Sequence, residues 1–275
     1  MMFCDYHVHT YYSDDSVYPM EDVVKDAIRL GMAEICFTDH VDYGIKVDPE
    51  NLSEEEKIGK ILNVDYPAYF EELGRLKEKY AENIAIRTGL EFGMQTHTIE
   101  VFQKLYDRFE LDFVILSCHQ VGDKEFWTQD FQNGKTQKEY NDSYYQEILD
   151  VISRYKDYSV LGHLDLIKRY DMKGDYPFEA VEEIITEILK KVIQDGKGIE
   201  VNTSSHRYGL KDLTPSRAIL RLYKDLGGRI VTIGSDSHEK HHLGAYIKDT
   251  KLELKALGYE QYCTFEGMQP IFHEL

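Results

Sequence analysis

The sequence predicts an α/β protein whose parallel strands close into a barrel built from seven strand–helix units. Short apolar runs alternate with longer stretches of helical periodicity along the 275 residues, and we count this alternation seven times. Seven or eight such units in about 200–250 residues are typical of a barrel rather than an open sheet. No linker rich in glycine, serine or proline divides the chain, so we expect one domain spanning residues 1–275.

Each predicted strand is a short apolar run, and each is followed by a helix with an apolar face. The strands are predicted at 1–9, 33–40, 84–93, 112–121, 158–167, 198–205 and 229–238. The helices are predicted at 19–31, 66–80, 98–110, 138–155, 178–196, 214–228 and 241–257. Pro19 near a helix start and Gly31 at its end support the bounds of the first helix.

The composition narrows the classes of partner and compartment. Apolar residues form 42% of the chain, and its net charge is −18, from 50 acidic and 32 basic residues. This acidity argues against a nucleic-acid backbone as the main partner, because phosphate binding requires a basic surface. No signal peptide or membrane-length apolar run is present, and the four cysteines form no CxxC pair. We therefore expect a cytoplasmic protein with reduced, buried thiols, no nucleic-acid or membrane partner and an undetermined oligomeric state.

Polar side chains end almost every predicted strand. They are His7, His9, Asp39, His40, Glu91, His119, His163, Asn202, Asp236 and His238. The carboxyl ends of parallel strands lie on one face, and that face carries the active site in such folds. Imidazole and carboxylate groups bind Zn, Mn, Fe or similar ions. Each residue alone is more often structural, but so many of them in one place would leave buried charges unpaired without a metal.

Other polar and aromatic residues allow two interpretations each. Arg169 and Arg207 follow predicted strands, where an arginine can form a surface salt bridge or bind phosphate through two N–H groups. The aromatics of 126–132 can pack in the core or stack on a flat substrate ring. The acidic segment 42–65 is either a solvated loop or part of a lid. Four further histidines lie on or beside predicted helices and are expected at the surface: His97, His241, His242 and His273.

Seven short motifs, in this order, give the chain a family resemblance. They read DYHVHT, FTDH, GLEFG, LSCHQV, LGHLDL, EVNTSSHR and IGSDSH, and they extend over residues 5–238. The chain resembles the polymerase-and-histidinol-phosphatase (PHP) family, and most closely its histidinol-phosphate phosphatase branch. The resemblance implies a distorted seven-stranded (β/α)7 TIM-like barrel with a trinuclear centre of Zn, Mn, Fe or mixed ions.

The resemblance also implies which residues would hold each ion. The first ion would take His7, His9, Glu91 and Asp236, and Glu91 would bridge to a second ion completed by His119 and His163. The third ion would take Asp15, His40 and His238, although some relatives place the acid one residue earlier, at Asp14. Arg169 and Arg207 match positions that hold the substrate phosphate.

The activity implied by the resemblance is metal-dependent hydrolysis of L-histidinol phosphate to L-histidinol and phosphate in histidine biosynthesis. A third metal ion, Asp42 or a protonated histidine would assist the leaving alkoxide, and the sequence does not choose among them. One alternative is a phosphoesterase of the same family that acts on another small phosphomonoester. Another is a metal-binding or regulatory protein without catalysis, which would not need the two arginines.

Overall fold

A computed structural model describes residues 2–275, and its main sheet forms a nearly closed barrel. The strands of this sheet are β1 (Cys4–Val8), β2 (Glu34–Phe37), β3 (His40–Val41), β4 (Ala85–Gly93), β5 (Phe113–Ser117), β6 (Val160–Leu161), β7 (Gly198–Asn202) and β8 (Val231–Gly234). Neighbours run in the order β1-β2-β4-β5-β6-β7-β8, and β3 continues the line of β2 beside β4. All of these pairs are parallel.

The two outer strands approach each other and almost close the barrel. The His9 amide donates to the Ser237 carbonyl at 2.8 Å, and the Ser237 amide donates to the His7 carbonyl at 3.2 Å. These bonds connect the carboxyl ends of β1 and β8, so seven strand positions encircle one core. The predicted seven-stranded (β/α) barrel is therefore confirmed.

Helices cover the outside of the barrel. They are α1 (Met20–Arg29), α2 (Glu54–Lys57), α3 (Tyr66–Lys79), α4 (Ile99–Tyr106), α5 (Gln137–Arg154), α6 (Glu182–Gln194), α7 (Arg217–Asp225) and α8 (Ile247–Ala256). Seven of them overlap the predicted helices, and α2 is a single turn inside the 42–65 segment. Their apolar faces pack on the strands, as Val23 and Val24 of α1 do, and the buried apolar side chains form one contiguous cluster.

Residues 261–274 form an antiparallel hairpin that was not predicted from the sequence. Its strands are β9 (Gln261–Glu266) and β10 (Gln269–Glu274). The Phe265 amide donates to the Tyr6 hydroxyl at 2.8 Å, and the Phe265 ring packs against Phe113 at 5.0 Å. The hairpin thus packs against β1 and β5. His273 lies on β10, so its predicted place on or beside a helix is wrong.

Part of the 42–65 segment packs beside α3 and α4. The Arg108 guanidinium binds the Glu50 carboxylate through two nitrogens, at 2.6 and 2.9 Å. Asp48 accepts hydrogen bonds from the Tyr43 and Tyr66 hydroxyls, at 2.8 and 2.9 Å. These contacts hold residues 43–50 of the segment in place. Across residues 2–275, no helix combines the length and apolarity needed to cross a membrane.

Candidate metal centre

The barrel brings all nine predicted metal ligands together at the carboxyl ends of its strands. They form a connected set of ring nitrogens and carboxylate oxygens: His7, His9, Asp15, His40, Glu91, His119, His163, Asp236 and His238. His7 and His9 reach the same side because they lie two residues apart on an extended chain. Asp236 has a left-handed backbone, with φ of 56°.

Glu91 lies at the centre of this set and is fully buried. Its Oε1 lies 2.9 Å from His163 Nε2 and 3.2 Å from His119 Nε2. Its Oε2 lies 2.9 Å from His40 Nδ1 and 3.1 Å from His7 Nε2. One carboxylate therefore faces four imidazoles, an arrangement suited to bridging two cations.

Neighbouring acceptors determine which nitrogen of His7 and of His119 carries the proton. His7 Nδ1 lies 2.5 Å from Glu200 Oε1, and His119 Nδ1 lies 2.7 Å from Asp42 Oδ1. A carboxylate only accepts, so each Nδ1 donates, and in the neutral imidazole each Nε2 keeps its lone pair. Each Nε2 points at Glu91, so a proton or a metal ion must lie between this nitrogen and the carboxylate. This is the orientation that metal-binding histidines adopt.

For His9, a hydroxyl group determines which ring nitrogen carries the proton. The Ser13 hydroxyl donates to Asp39 Oδ1 at 2.8 Å, so it must accept from His9 Nδ1 at 3.2 Å. The unprotonated His9 Nε2 is buried without a hydrogen-bond partner and lies 3.5 Å from both Glu91 and Asp236. A buried acceptor nitrogen between two carboxylates suits a bound cation. Among the described residues no hydrogen-bond donor reaches this nitrogen.

A third cluster joins His40, His238 and Asp15. The His40 and His238 Nε2 atoms face each other at 3.4 Å, and Asp15 Oδ2 lies 3.1 Å from His238 Nε2 and 3.7 Å from His40 Nε2. His238 Nδ1 donates to the Asp236 carbonyl at 3.0 Å, so its Nε2 is also an acceptor. Asp14 instead binds Lys46, at 2.5 Å. The structure therefore places Asp15, and not Asp14, beside the two histidines.

The charges of the centre support this geometry. Burial alone would lower the pKa of His7, but Glu200, Glu91 and Asp236 raise it well above its usual value. Burial would raise the pKa of Glu91, yet His7, His119 and His40 hold it well below its usual value. Burial lowers the pKa of His9, with His238 and His40 adding to the effect, so this imidazole is neutral. Ionised carboxylates that face imidazole nitrogens attract a cation, either a proton or a divalent metal ion of the kind that these groups bind.

A cavity of about 280 Å³ opens over the centre, and Arg169 lies in its wall. The Arg169 guanidinium is held by the Ser204 hydroxyl at 2.5 Å and stacks 4.0 Å above the Tyr208 ring. Its Nη2 lies 3.6 Å from Asp236 Oδ2. Arg207 binds the backbone beside the same aspartate, with Nη1 2.6 Å from the Ser235 carbonyl and Nη2 2.7 Å from the Asp236 carbonyl.

The geometry and the residue matches place the chain in a family. The PHP domain model matches residues 5–204, which is more than half of the chain. The chain belongs to the PHP domain family.

Two relatives and one solved structure are similar to nearly the whole chain. A histidinol-phosphatase of Lactococcus lactis subsp. lactis is 31% identical over 96% of this PHP protein and 95% of the relative. The histidinol-phosphatase of Saccharomyces cerevisiae is 23% identical over 94% of this chain and 90% of its own length. The crystal structure of the Lactococcus enzyme, complexed with zinc, L-histidinol and phosphate, superposes with a TM-score of 0.83 at 30% identity and covers 98% of both chains.

The residues that orient the ligands of this PHP centre were not predicted from the sequence. Glu200 is buried and accepts both from His7 Nδ1 and from the His163 amide, the latter at 2.9 Å. Lys46 lies in the cavity wall, between Asp14 and Asp42. An acid at the middle of the apolar run GIEVN was the available signal for Glu200, because an unpaired charge does not belong in a buried strand.

The aromatic side chains of the segment 126–132 divide between the core and the cavity wall. Phe126 and Phe131 are buried and pack against each other at 5.1 Å. Trp127 is 49% exposed and lines the cavity with Tyr170 and Tyr208. The flat rings at the cavity mouth are therefore available to a ligand, while the phenylalanines anchor their loop.

Proposed function

We propose that this protein is a histidinol-phosphatase that hydrolyses L-histidinol phosphate to L-histidinol and phosphate in histidine biosynthesis. The observation that supports this proposal most strongly is the set of nine candidate metal ligands beneath a cavity with an arginine in its wall. The similarity of the chain to a relative solved with zinc, L-histidinol and phosphate supports the same substrate. The enzyme would be a metal-dependent phosphomonoester hydrolase.

The proposed ligands divide into three sets around the bridging Glu91. Together they would hold three divalent ions, Zn, Mn, Fe or a mixture. The first set is His7, His9, Glu91 and Asp236; the second is Glu91, His119 and His163; the third is Asp15, His40 and His238. A short contact within each set supports this division: His7 to Glu91 at 3.1 Å, His163 to Glu91 at 2.9 Å and His238 to Asp15 at 3.1 Å.

The reaction breaks the phosphorus–oxygen ester bond, transfers a water oxygen to phosphorus and delivers a proton to the leaving alkoxide. Bound divalent ions supply Lewis-acid polarisation of phosphoryl oxygens and lower the pKa of water. Arg169 is proposed to orient the phosphate, because a guanidinium matches two of its oxygens. Arg207, whose terminal nitrogens bind the Ser235 and Asp236 carbonyls, is proposed to contact the phosphate through its remaining N–H groups. Arg169 is already fixed for this task by Ser204 and Tyr208.

We propose that Asp42 orients His119 and is not the proton donor that the sequence allowed. Its Oδ1 lies 2.7 Å from His119 Nδ1 and its Oδ2 lies 2.9 Å from Lys46 Nζ. Both Asp42 oxygens thus accept hydrogen bonds, one from His119 and the other from Lys46. A carboxylate held in this way orients His119 and has no proton of its own to donate. The substrate amine is cationic, and the carboxylates of Asp14 and Glu125 in the cavity wall suit its charge.

The remaining parts of the proposal concern the chain as a whole. We propose one functional domain over 1–275, supported by its single contiguous core. All four cysteines are free and buried, which supports the expected cytoplasmic location. The proposed partner is a small phosphorylated molecule.

Phosphate release from L-histidinol phosphate tests this function. Metal-loaded protein is assayed beside a panel of sugar and nucleotide phosphomonoesters, with a chelator-treated sample as the control. We expect the highest kcat/KM on L-histidinol phosphate and loss of turnover with the chelator. Turnover confined to other esters would replace the substrate and keep the metal chemistry, and turnover of none of them would favour a non-catalytic metal-binding protein.

A further inference from the structure

Arg207 does not line the cavity, although Arg169 does. The two terminal nitrogens of Arg207 instead bind consecutive backbone carbonyls, those of Ser235 and Asp236, at 2.6 and 2.7 Å. A guanidinium is a planar fork, so two bonds to neighbouring carbonyls fix the relative orientation of the two peptide groups that flank Asp236.

The peptide that Arg207 binds has an uncommon backbone conformation. Asp236 has φ of 56°, in the left-handed region that residues other than glycine seldom adopt. Such a conformation persists only where the surrounding contacts determine it, and these residues concentrate at functional sites. At this turn the contacts come from two sides, because Asp5 accepts from the Ser235 amide at 2.8 Å while Arg207 holds the carbonyls.

The conformation of this turn decides where the Asp236 carboxylate points. Its Oδ1 lies 3.6 Å from His7 Nε2, 3.5 Å from His9 Nε2 and 3.6 Å from His238 Nδ1. The Asp236 carbonyl that Arg207 binds also accepts from His238 Nδ1, at 3.0 Å. A change at Arg207 would therefore disturb Asp236 and, through the shared carbonyl, His238.

We infer that Arg207 is a positioning residue for the metal centre, which holds the 235–236 turn so that Asp236 faces His7 and His9. The inference deepens the proposed function, on which its kinetic part rests, and adds a role to the phosphate contact proposed above. N–H groups of Arg207 outside these two bonds remain available to an anion. Positioning contacts around metal ligands commonly matter for metal affinity by about 10- to 100-fold.

Zinc affinity, measured by competition with a chromogenic chelator, tests the inference without an assay of turnover. Arg207→Met is compared with wild type, with Arg169→Met and with Asp236→Asn. We expect Arg207→Met to weaken zinc binding by about 10- to 100-fold, in the direction of Asp236→Asn. Arg169 also lies 3.6 Å from Asp236 but does not bind the turn, so Arg169→Met should change zinc affinity less than Arg207→Met, while its KM and the inhibition constant for inorganic phosphate rise. Zinc affinity unchanged in Arg207→Met would overturn the inference.

Arg207→Lys separates positioning from charge. Lysine keeps the cation for a phosphate but lacks the fork that spans two carbonyls. The inference expects Arg207→Lys to bind zinc as weakly as Arg207→Met, and a return to wild-type zinc affinity would contradict it. This variant also decides the matter by itself if Arg207→Met does not fold. Failure of the proposed substrate would leave the zinc measurements unaffected, so the two ideas fail separately.

Discussion

At the scale of single residues, the ligands of the centre were easier to predict than the residues that orient them. His7, His9 and Glu91 stand out in the sequence because a polar group at the end of an apolar run needs a reason. Glu200 orients His7 from another strand, and the contact crosses 193 positions of the chain. Only the folded barrel brings these two residues together, so no local pattern could reveal the pair.

The contact between Glu200 and His7 yields a prediction at the same scale. Glu200→Gln replaces an acceptor with an amide that can also donate, so His7 Nδ1 no longer has a fixed proton. We expect zinc affinity and kcat/KM to fall by about 10- to 100-fold. Chelator competition and steady-state kinetics measure these effects. Glu253→Gln on α8, which removes a surface carboxylate that binds Arg217, should match wild type; a Glu200→Gln protein that also matches it would show that Glu200 does not orient His7.

At the scale of elements, the sequence predicted the barrel strands and their helices but missed the final hairpin. Near-continuous apolar runs such as those of β5 and β8 are buried on both faces and are therefore recognisable. The hairpin has an exposed outer strand, β10, whose residues are mostly in contact with solvent. A half-exposed hairpin lacks the apolar run that marked the other strands, and its reason to fold is the contact of Phe265 with Tyr6 and Phe113.

The end of β4 yields a prediction about how closely the strands must approach the centre. A Cβ atom added at Gly93 would lie 1.8 Å from Asp42 Oδ1 and 2.7 Å from His119 Nδ1. Gly93→Ala should therefore separate Asp42 from His119 and lower both the melting temperature and kcat/KM. Thermal unfolding and kinetics measure the two effects.

Gly74→Ala is the matched control for this substitution. Gly74 lies on the exposed side of α3, and an added Cβ would meet no atom within 4 Å. Alanine should stabilise this helix by about 0.5–1 kcal/mol and leave turnover unchanged. Wild-type kinetics and stability in Gly93→Ala would refute the close packing that we describe at this strand end.

At the scale of the whole molecule, the sequence predicted convergence at one face of the barrel but not the pairing inside it. Parallel topology alone places the strand ends together. The division of the contacts between Glu91 Oε1 and Oε2, and the choice of Asp15 over Asp14, depend on where the loops lie in space. The acidic net charge of −18 gave no sign of the two arginines beside the centre.

Convergence of so many buried polar groups predicts that metal ions stabilise the entire fold. Glu91 and Asp236 are buried with histidine nitrogens directed at them, so the native state binds cations that the unfolded chain binds far less well. A metal at 100 times its dissociation constant stabilises by about 2.7 kcal/mol. Thermal unfolding in zinc should therefore give a higher melting temperature than unfolding in chelator, and Glu91→Gln should reduce the difference. Equal melting temperatures of the wild type in zinc and in chelator would argue against a metal centre.

Anomalous diffraction at the zinc edge, from crystals grown with zinc and phosphate, would locate the bound ions and the phosphate. We expect three zinc peaks, all at the carboxyl ends of the strands. One lies between His7, His9 and Asp236, a second beside His119 and His163, and a third beside Asp15, His40 and His238, with a phosphate in contact with Arg169. Zinc absent from these three positions, or phosphate bound away from Arg169, would contradict this expectation.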